Sequence, residues 1–163
     1  MDGIAKGRVS GSFDFLAGFR WDHTSTRVKY NDNTDDDYIL NLYLPLIGAQ
    51  VNQEFGNGAL LVRLLVAPVA PGQLRYHFWS RDGFSEFGNF SANNGSMIEV
   101  FADYSLRISR DLSMGGFVKW NSLHVRTAGH NLSDSTSEPI SWTVDIRYWT
   151  LGGSVSLGLP SLL

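Results

Sequence analysis

The chain has 163 residues, no cysteine and a formal net charge of −3 at pH 7. These values exclude disulfides and thiolate metal sites, and they show no basic excess that would favour nucleic-acid binding. Aromatic residues make up 13% of the chain and glycine contributes 17 residues, which suits strands joined by tight turns better than helices. The length fits one domain, so residues 1–163 are predicted to form a single β domain.

The first predicted strand, at about 9–22, alternates between apolar and polar side chains. One face carries aromatic residues from Phe13 to Trp21, and the other carries mainly polar residues from Ser12 to Asp22. Successive side chains of a strand point to opposite faces, so this alternation predicts a strand with an aromatic side and a polar side.

Two further strands, at about 37–55 and 59–69, flank the tight turn Gly56-Asn57-Gly58. The earlier of the two contains Pro45. Proline has no N–H to donate to a sheet ladder, so Pro45 predicts a bulge or an edge at that point.

The last three predicted strands lie at about 96–108, 113–126 and 140–157, and a tight turn at Ser109-Arg110-Asp111-Leu112 joins the first two of them. In the third, the apolar residues from Ile140 to Tyr148 are predicted to face lipid, with Asp145 and Arg147 facing inward. Between these strands and the earlier ones, residues 75–79 and 84–90 are predicted to form a short hairpin above the rim, hinged at Ser80-Arg81-Asp82-Gly83.

The connections alternate between short turns and long polar segments, the latter at about 24–36, 70–95 and 127–139. Short turns at one end, long loops at the other and strands of about 11 residues are typical of bacterial outer-membrane barrels. The sequence therefore predicts an all-β, antiparallel up-and-down transmembrane β-barrel of about 6–8 strands. The alternative is a soluble β-barrel that turns its apolar face inward and binds an apolar ligand.

Single-chain bacterial barrels begin at about eight strands, and six strands are clear here. We therefore expect this chain to form part of a larger barrel, completed by further N-terminal strands or by a protein partner or oligomer. Met1-Asp2-Gly3 does not resemble a secretory signal, so a leader is expected to have been removed or the chain to begin part-way through the protein.

Several segments resemble the C-terminal strands of the omptins, the outer-membrane proteases of Gram-negative bacteria. They are Leu44-Pro45-Leu46-Ile47-Gly48, Phe101-Ala102-Asp103-Tyr104-Ser105, Lys119-Trp120-Asn121 and Tyr148-Trp149-Thr150-Leu151-Gly152-Gly153. The likeness spans roughly residues 9 to 157 and consists mostly of barrel pattern. It implies a barrel in the bacterial outer membrane with membrane lipid as its surroundings.

The omptin resemblance also implies a mechanism in which an aspartate pair faces an Asp–His pair and activates a water. His77 falls in the matching loop, but Arg75 stands two residues before it where the family has aspartate. The sequence therefore predicts a structural or binding role through the long loops, with an envelope hydrolase, acting on peptide or lipid A at the loop-bearing rim, as the alternative.

For that hydrolase the candidate catalytic residues are His77, Asp22 and His23, because a carboxylate beside an imidazole orients the ring and favours its cation. His124 and His130 also lie toward the long loops. His130, Ser133 and Glu138 resemble the His, Ser and carboxylate of an outer-membrane lipid A deacylase, although they fall in a loop. The alternative interpretation is that these residues belong to an ordinary polar rim and have no catalytic role. No cofactor, metal or nucleic-acid partner is predicted, since no metal-ligand spacing occurs.

A further set of charged side chains is predicted to point inward. Charges of both signs inside a small barrel are expected to pair across the lumen and plug it. The set comprises Asp14, Arg20, Glu99, Asp103, Arg107, Lys119, Asp145 and Arg147.

Overall fold

The structure, a computed structural model, describes residues 9–29, 34–80, 85–131 and 140–157. In these ranges the fold is all-β: one antiparallel sheet without a helix, and hence without a helix able to cross a membrane. The prediction of an antiparallel all-β fold is confirmed. The strands are β1 (Val9–Lys29), β2 (Thr34–Phe55), β3 (Gly58–Ala67), β4 (Gly72–Ser80), β5 (Ser85–Arg107), β6 (Leu112–Asn131) and β7 (Ile140–Leu157).

The sheet follows chain order, except that β3 and β4 share one position. The half of β2 nearest the Gly56-Asn57 turn pairs with β3, and its other half pairs with β4. On the far side, β5 pairs with β4 and then with β3. Residues 68–71 separate the two short strands, and the ladders of β2, β3, β5 and β4 form a ring around them. The sheet therefore has six strand positions, with β1 and β7 at its edges.

Both predicted tight turns form, and both lie at the same end of the sheet, which we call the lower end. Gly56 has φ of 57°, a left-handed conformation that glycine adopts without steric cost. At the second turn, the N–H groups of Ile108 and Ser109 donate to the Leu112 carbonyl oxygen at 2.9 and 3.1 Å. The opposite, upper end carries the connections at 30–33, 81–84 and 132–139, which lie outside the described residues.

Pro45 lies where β2 has a ladder on one side only, so the predicted edge is confirmed. The ladder from β2 to β3 ends at Ile47, and the ladder from β2 to β4 begins at Leu42. Between them, Pro45 faces the irregular segment 68–71 and pairs only with Phe19 of β1. The missing N–H of proline therefore removes no sheet hydrogen bond.

The long polar loops predicted at 24–36 and 70–95 are largely wrong, because the strands continue through them. β1 extends to Lys29, β2 begins at Thr34, and β5 runs unbroken through the second segment from Ser85. The predicted short hairpin is the upper part of the β4–β5 ladder, with Tyr76 opposite Gly88. A bulge between Ala92 and Asn94 shifts the register of β5. That shift interrupts the period-2 pattern by which a strand is recognised from sequence.

The sheet curls so strongly that side chains on its inner, concave face meet across it. Arg20 of β1 bonds to Glu99 of β5 at 2.9 Å, and the rings of Tyr38 of β2 and Trp142 of β7 lie 5.9 Å apart. The buried apolar cluster lies mainly on the upper part of this face. Its members are Leu40, Leu42, Leu44, Ala67, Ala70, Leu74, Phe90, Ala92, Met97 and Val125.

The outer, convex face changes character halfway up the strands. In its lower half exposed apolar side chains form a continuous band, which we call the apolar belt. Directly opposed residues of an antiparallel ladder share a face, and the register places the belt on all six strand positions. The belt comprises Phe13, Phe15, Phe19, Trp21, Tyr43, Ile47, Val51, Phe55, Val62, Leu64, Ile98, Val100, Tyr104, Leu106, Met114, Trp149, Leu151, Val155 and Leu157, together with the half-buried Trp120.

The upper half of the convex face is polar and solvent-exposed. It carries His23, Ser25, Arg27, Lys29, Gln73, Arg75, Asn89, Ser91, His124, Arg126, Ser141, Thr143, Asp145 and Arg147. The two halves of the sheet thus turn their apolar sides in opposite directions: outward below and inward above.

The orientation predicted for the upper half of β7 is wrong for this reason. Trp142, Val144 and Ile146 pack on the concave side against the buried cluster or line an interior cavity. Asp145 and Arg147, predicted to point inward, are exposed on the convex face. Only from Trp149 downward do the apolar side chains of β7 face outward.

Candidate functional site

The structure places the three predicted catalytic residues on different surfaces. Asp22 lies on the concave face, where its carboxylate is 2.9 Å from Arg20 Nε. His23, its neighbour in the strand, points to the convex face, where its Nδ1 is 2.7 Å from Asn41 Oδ1. Adjacent residues of a strand point to opposite sides, so Asp22 and His23 do not form a pair.

His77 lies on the convex face, directly opposite Asp37 in the β2–β4 ladder. Asp37 accepts two hydrogen bonds from Arg27 on its other side, at 2.7 and 3.0 Å. His77 is therefore part of a row of ionisable groups across β1, β2 and β4. The structure does not bring His77 together with Asp22 or His23.

A His–carboxylate pair that sequence inspection missed joins β6 and β7. His124 Nδ1 lies 2.6 Å from Asp145 Oδ1, and both side chains are about half exposed on the convex face. Only the register of the two strands, in which these residues are directly opposed, identifies the pair. Ser133 and Glu138 lie outside the described residues, as does the side chain of His130.

An ion cluster lies on the concave face at the level of the belt. Glu99, whose side chain is 4% exposed, bonds to Arg20 at 2.9 Å and to Arg63 at 3.2 Å. Arg20 also bonds to Asp22 and contacts the Met97 sulfur. The predicted pairing of opposite charges across the interior is confirmed for Arg20 and Glu99.

Next to this cluster, two open cavities run upward along the concave face between β1 and β7. The lower one, of ≈ 320 Å³, is lined by Arg20, Asp22, Thr24, Leu40, Leu42, Met97, Asn121, Leu123, Ile146 and Tyr148. The upper one, of ≈ 250 Å³, is lined by Thr24, Thr26, Tyr38, Leu40, Leu74, Trp142, Val144 and Ile146. Three residues are common to both, so the cavities form one groove with a polar lower end and apolar upper walls.

The two edge strands flank this groove without pairing with each other in the part of the chain that the structure describes. β1 and β7 run in opposite directions, since every neighbouring pair in the sheet is antiparallel and the sheet has six positions. Each edge is about 20 residues long. Both edges therefore present long rows of backbone groups that a further strand can bind.

Across residues 9–29, 34–80, 85–131 and 140–157, no group of three or more His, Asp or Glu side chains is placed to hold a metal ion. No protein-family description matches the chain, and no curated protein matches it significantly. The candidate site is therefore defined by its own geometry.

The pKa of Asp37 is lowered from its ordinary value of 3.8, first because Arg27 donates hydrogen bonds to the carboxylate. Because this pKa is lower in the folded protein than in the unfolded chain, the ionised Asp37 carboxylate stabilises the fold at pH values above its unfolded pKa. That stabilisation is lost as the pH falls through the folded-state pKa.

We expect Arg27→Gln to raise the pKa of Asp37 toward 3.8, measured by carboxyl NMR titration. Arg147→Gln on β7 is the control, and an unchanged Asp37 pKa in Arg27→Gln would contradict the assignment.

Proposed function

We propose that this chain forms the wall of an outer-membrane β-barrel, with its lower half in the bilayer and its upper half projecting beyond it. The apolar belt supports this proposal. On β1, β5 and β7 the belt spans about nine residues, within the range of ~9–11 that a tilted strand needs to cross a bilayer. Exposed side chains of this size and continuity on a soluble surface would promote association.

Aromatic side chains border the belt on both sides. At its upper boundary Trp21 is opposite Tyr43, and the rings of Trp120 and Trp149 lie 6.3 Å apart. At its lower boundary the rings of Phe55 and Tyr104 stack at 5.9 Å. Outer-membrane barrels carry aromatic girdles at both interfaces, where amphipathic rings sit at the level of the lipid headgroups.

The exchange of faces halfway along the strands is the observation that carries the proposal. A soluble barrel turns its apolar side inward along its whole length. Here the upper half follows that rule, whereas the lower half exposes the belt and encloses the ion cluster of Glu99. Lipid around the lower half and water around the upper half explain both arrangements.

The role that fits this wall is structural or binding, through its upper connections and its two edges. In hydrocarbon every backbone polar group needs a partner, so in the bilayer the edges of β1 and β7 require pairing strands. A protein partner or an oligomer that completes the barrel would supply them. An envelope hydrolase has less support, because the observed His–carboxylate pairs lie on the convex surface and the groove holds no histidine.

Detergent dependence and heat-modifiable gel migration test the proposal. We expect the folded protein to stay monodisperse only with detergent or lipid, and to migrate differently on a gel before and after boiling. It should also fold into phospholipid vesicles. A monodisperse, folded protein in buffer without detergent would rule out the membrane location.

A further inference from the structure

The groove between β1 and β7 contains buried polar atoms that have no partner. Asn121 is 2% exposed, and neither its Oδ1 nor its Nδ2 has a hydrogen-bond partner in the structure. At the upper end, the Trp142 indole Nε1 is likewise buried without a partner. Leaving such groups unsatisfied carries an uncompensated cost of desolvation, so the groove favours an occupant that bonds to them.

The charged groups at the lower end of the groove already balance one another. Arg20 and Arg63 are matched by Glu99 and Asp22, with separations of 2.9 to 3.2 Å. Of the charged residues that line the lower cavity, Arg20 is already paired with Asp22 and with Glu99, so an entering carboxylate or phosphate would have to compete with these two carboxylates for it. Asn121 offers one donor group and one acceptor, so the groove favours an uncharged head that also has both.

The upper walls of the groove are suited to a hydrocarbon chain. Leu40, Leu74, Val144 and Ile146 line them. From Tyr148, which is opposite Asn121, to Trp142 the groove follows six residues of β7, or roughly 20 Å at about 3.3 Å per residue. Half of a ~30 Å hydrocarbon core is about 15 Å, so an extended acyl chain of a membrane lipid fits this length.

We infer that the groove between β1 and β7 binds a single-chain amphiphile with an uncharged head, such as a monoacylglycerol or a fatty amide. The head bonds to Asn121, and the acyl chain extends upward along Leu40, Val144 and Ile146 toward Trp142. The inference concerns the concave face and does not rest on the membrane location, since an interior groove of this kind also exists in a soluble barrel.

Native mass spectrometry of the whole chain tests the inference, in a short-chain polyoxyethylene detergent or in buffer if the protein needs none. The probes are 1-monopalmitoylglycerol, palmitate and hexadecane. We expect one equivalent of monopalmitoylglycerol to bind, with palmitate and hexadecane at least about tenfold weaker. Asn121→Leu, which keeps the side-chain volume but removes the hydrogen bonds, should weaken monopalmitoylglycerol binding by about tenfold.

Two filling substitutions locate the acyl chain. Ile146→Trp occupies the groove from β7, and Thr24→Phe occupies it from the exposed edge strand β1, where folding is less at risk; both should abolish the adduct. Leu151→Trp on the apolar belt is the matched control and should retain it, and gel migration verifies that each variant is folded. An adduct that persists in both filled variants, equal binding of palmitate, or no adduct in the parent protein would each overturn the inference.

Discussion

Arginine in place of Ala102 is expected to destabilise the lipid-folded protein by about 2–4 kcal/mol. Ala102 lies on the convex face in the middle of the belt on β5, which runs from Ile98 to Leu106, between Val62 and Val118 of the neighbouring strands. A cation at this position would sit near the bilayer midplane, where arginine on the lipid face of a barrel costs this amount. In water, an exposed surface substitution usually changes stability by less than about 0.5 kcal/mol.

Ser96→Arg is the matched control for this prediction. Ser96 lies on the same face of the same strand, just above the belt and opposite His124, and arginine there should cost only about 0–1 kcal/mol. Urea unfolding of both variants from phospholipid vesicles, followed by tryptophan fluorescence, measures the two costs. Equal costs would show that the belt does not face hydrocarbon.

Removal of the Glu99 carboxylate should lower stability by about 3 kcal/mol. Glu99→Gln keeps the shape of the side chain but leaves Arg63 without its counter-charge and leaves Arg20 with Asp22 alone. Breaking a buried pair in this way costs about 3–5 kcal/mol, and the lower end applies because the two arginine side chains are 28% and 33% exposed. Solvent screens them in part.

Glu54→Gln controls for the loss of a carboxylate as such. Glu54 is exposed at the lower end of β2, and its substitution should change the free energy of unfolding by no more than about 0.5 kcal/mol. Equilibrium unfolding by urea of both variants gives the comparison. A loss below 1 kcal/mol in Glu99→Gln would show that the arginines find other partners.

Local patterns predict much of this fold from sequence. The turn at Gly56-Asn57 and the turn before Leu112 need only the residues that form them, and the aromatic alternation of β1 is long enough to define its period of two. Pro45 likewise indicates a missing ladder without reference to any distant residue. These features depend on short stretches of chain, so the sequence alone suffices for them.

The orientation of β7 needs information that its own alternation does not contain. A period-2 pattern shows that two faces differ but not which of them faces the interior. Trp142 and Val144 look the same in sequence as Leu151 and Val155, yet they point to opposite sides of the sheet. What distinguishes them is their position along the height of the sheet, and that position depends on how all the strands are aligned.

The residues of the candidate site could not be predicted from the sequence for a related reason. The pair of His124 and Asp145 and the groove residue Asn121 all depend on the β6–β7 register. Asn121 in addition is recognisable only by its burial without a partner. By contrast, Asp22 and His23 are adjacent in sequence and therefore suggested a common site, but their side chains point to opposite faces of β1.

The exchange of faces also restricts how the strands can be misaligned. A shift of β7 by one residue against β6 would move every side chain of β7 to the other face. In the upper half Trp142 and Val144 would become exposed on the convex face, and in the lower half Trp149 and Leu151 would turn to the concave face. A shift by two residues keeps every side chain on its face but displaces the strand by roughly 7 Å. Arg147 would then stand opposite Trp120, inside the boundary of the belt. Two properties therefore select the alignment of β7. The face of each side chain excludes shifts by one residue, and the level of each side chain along the strand excludes shifts by two.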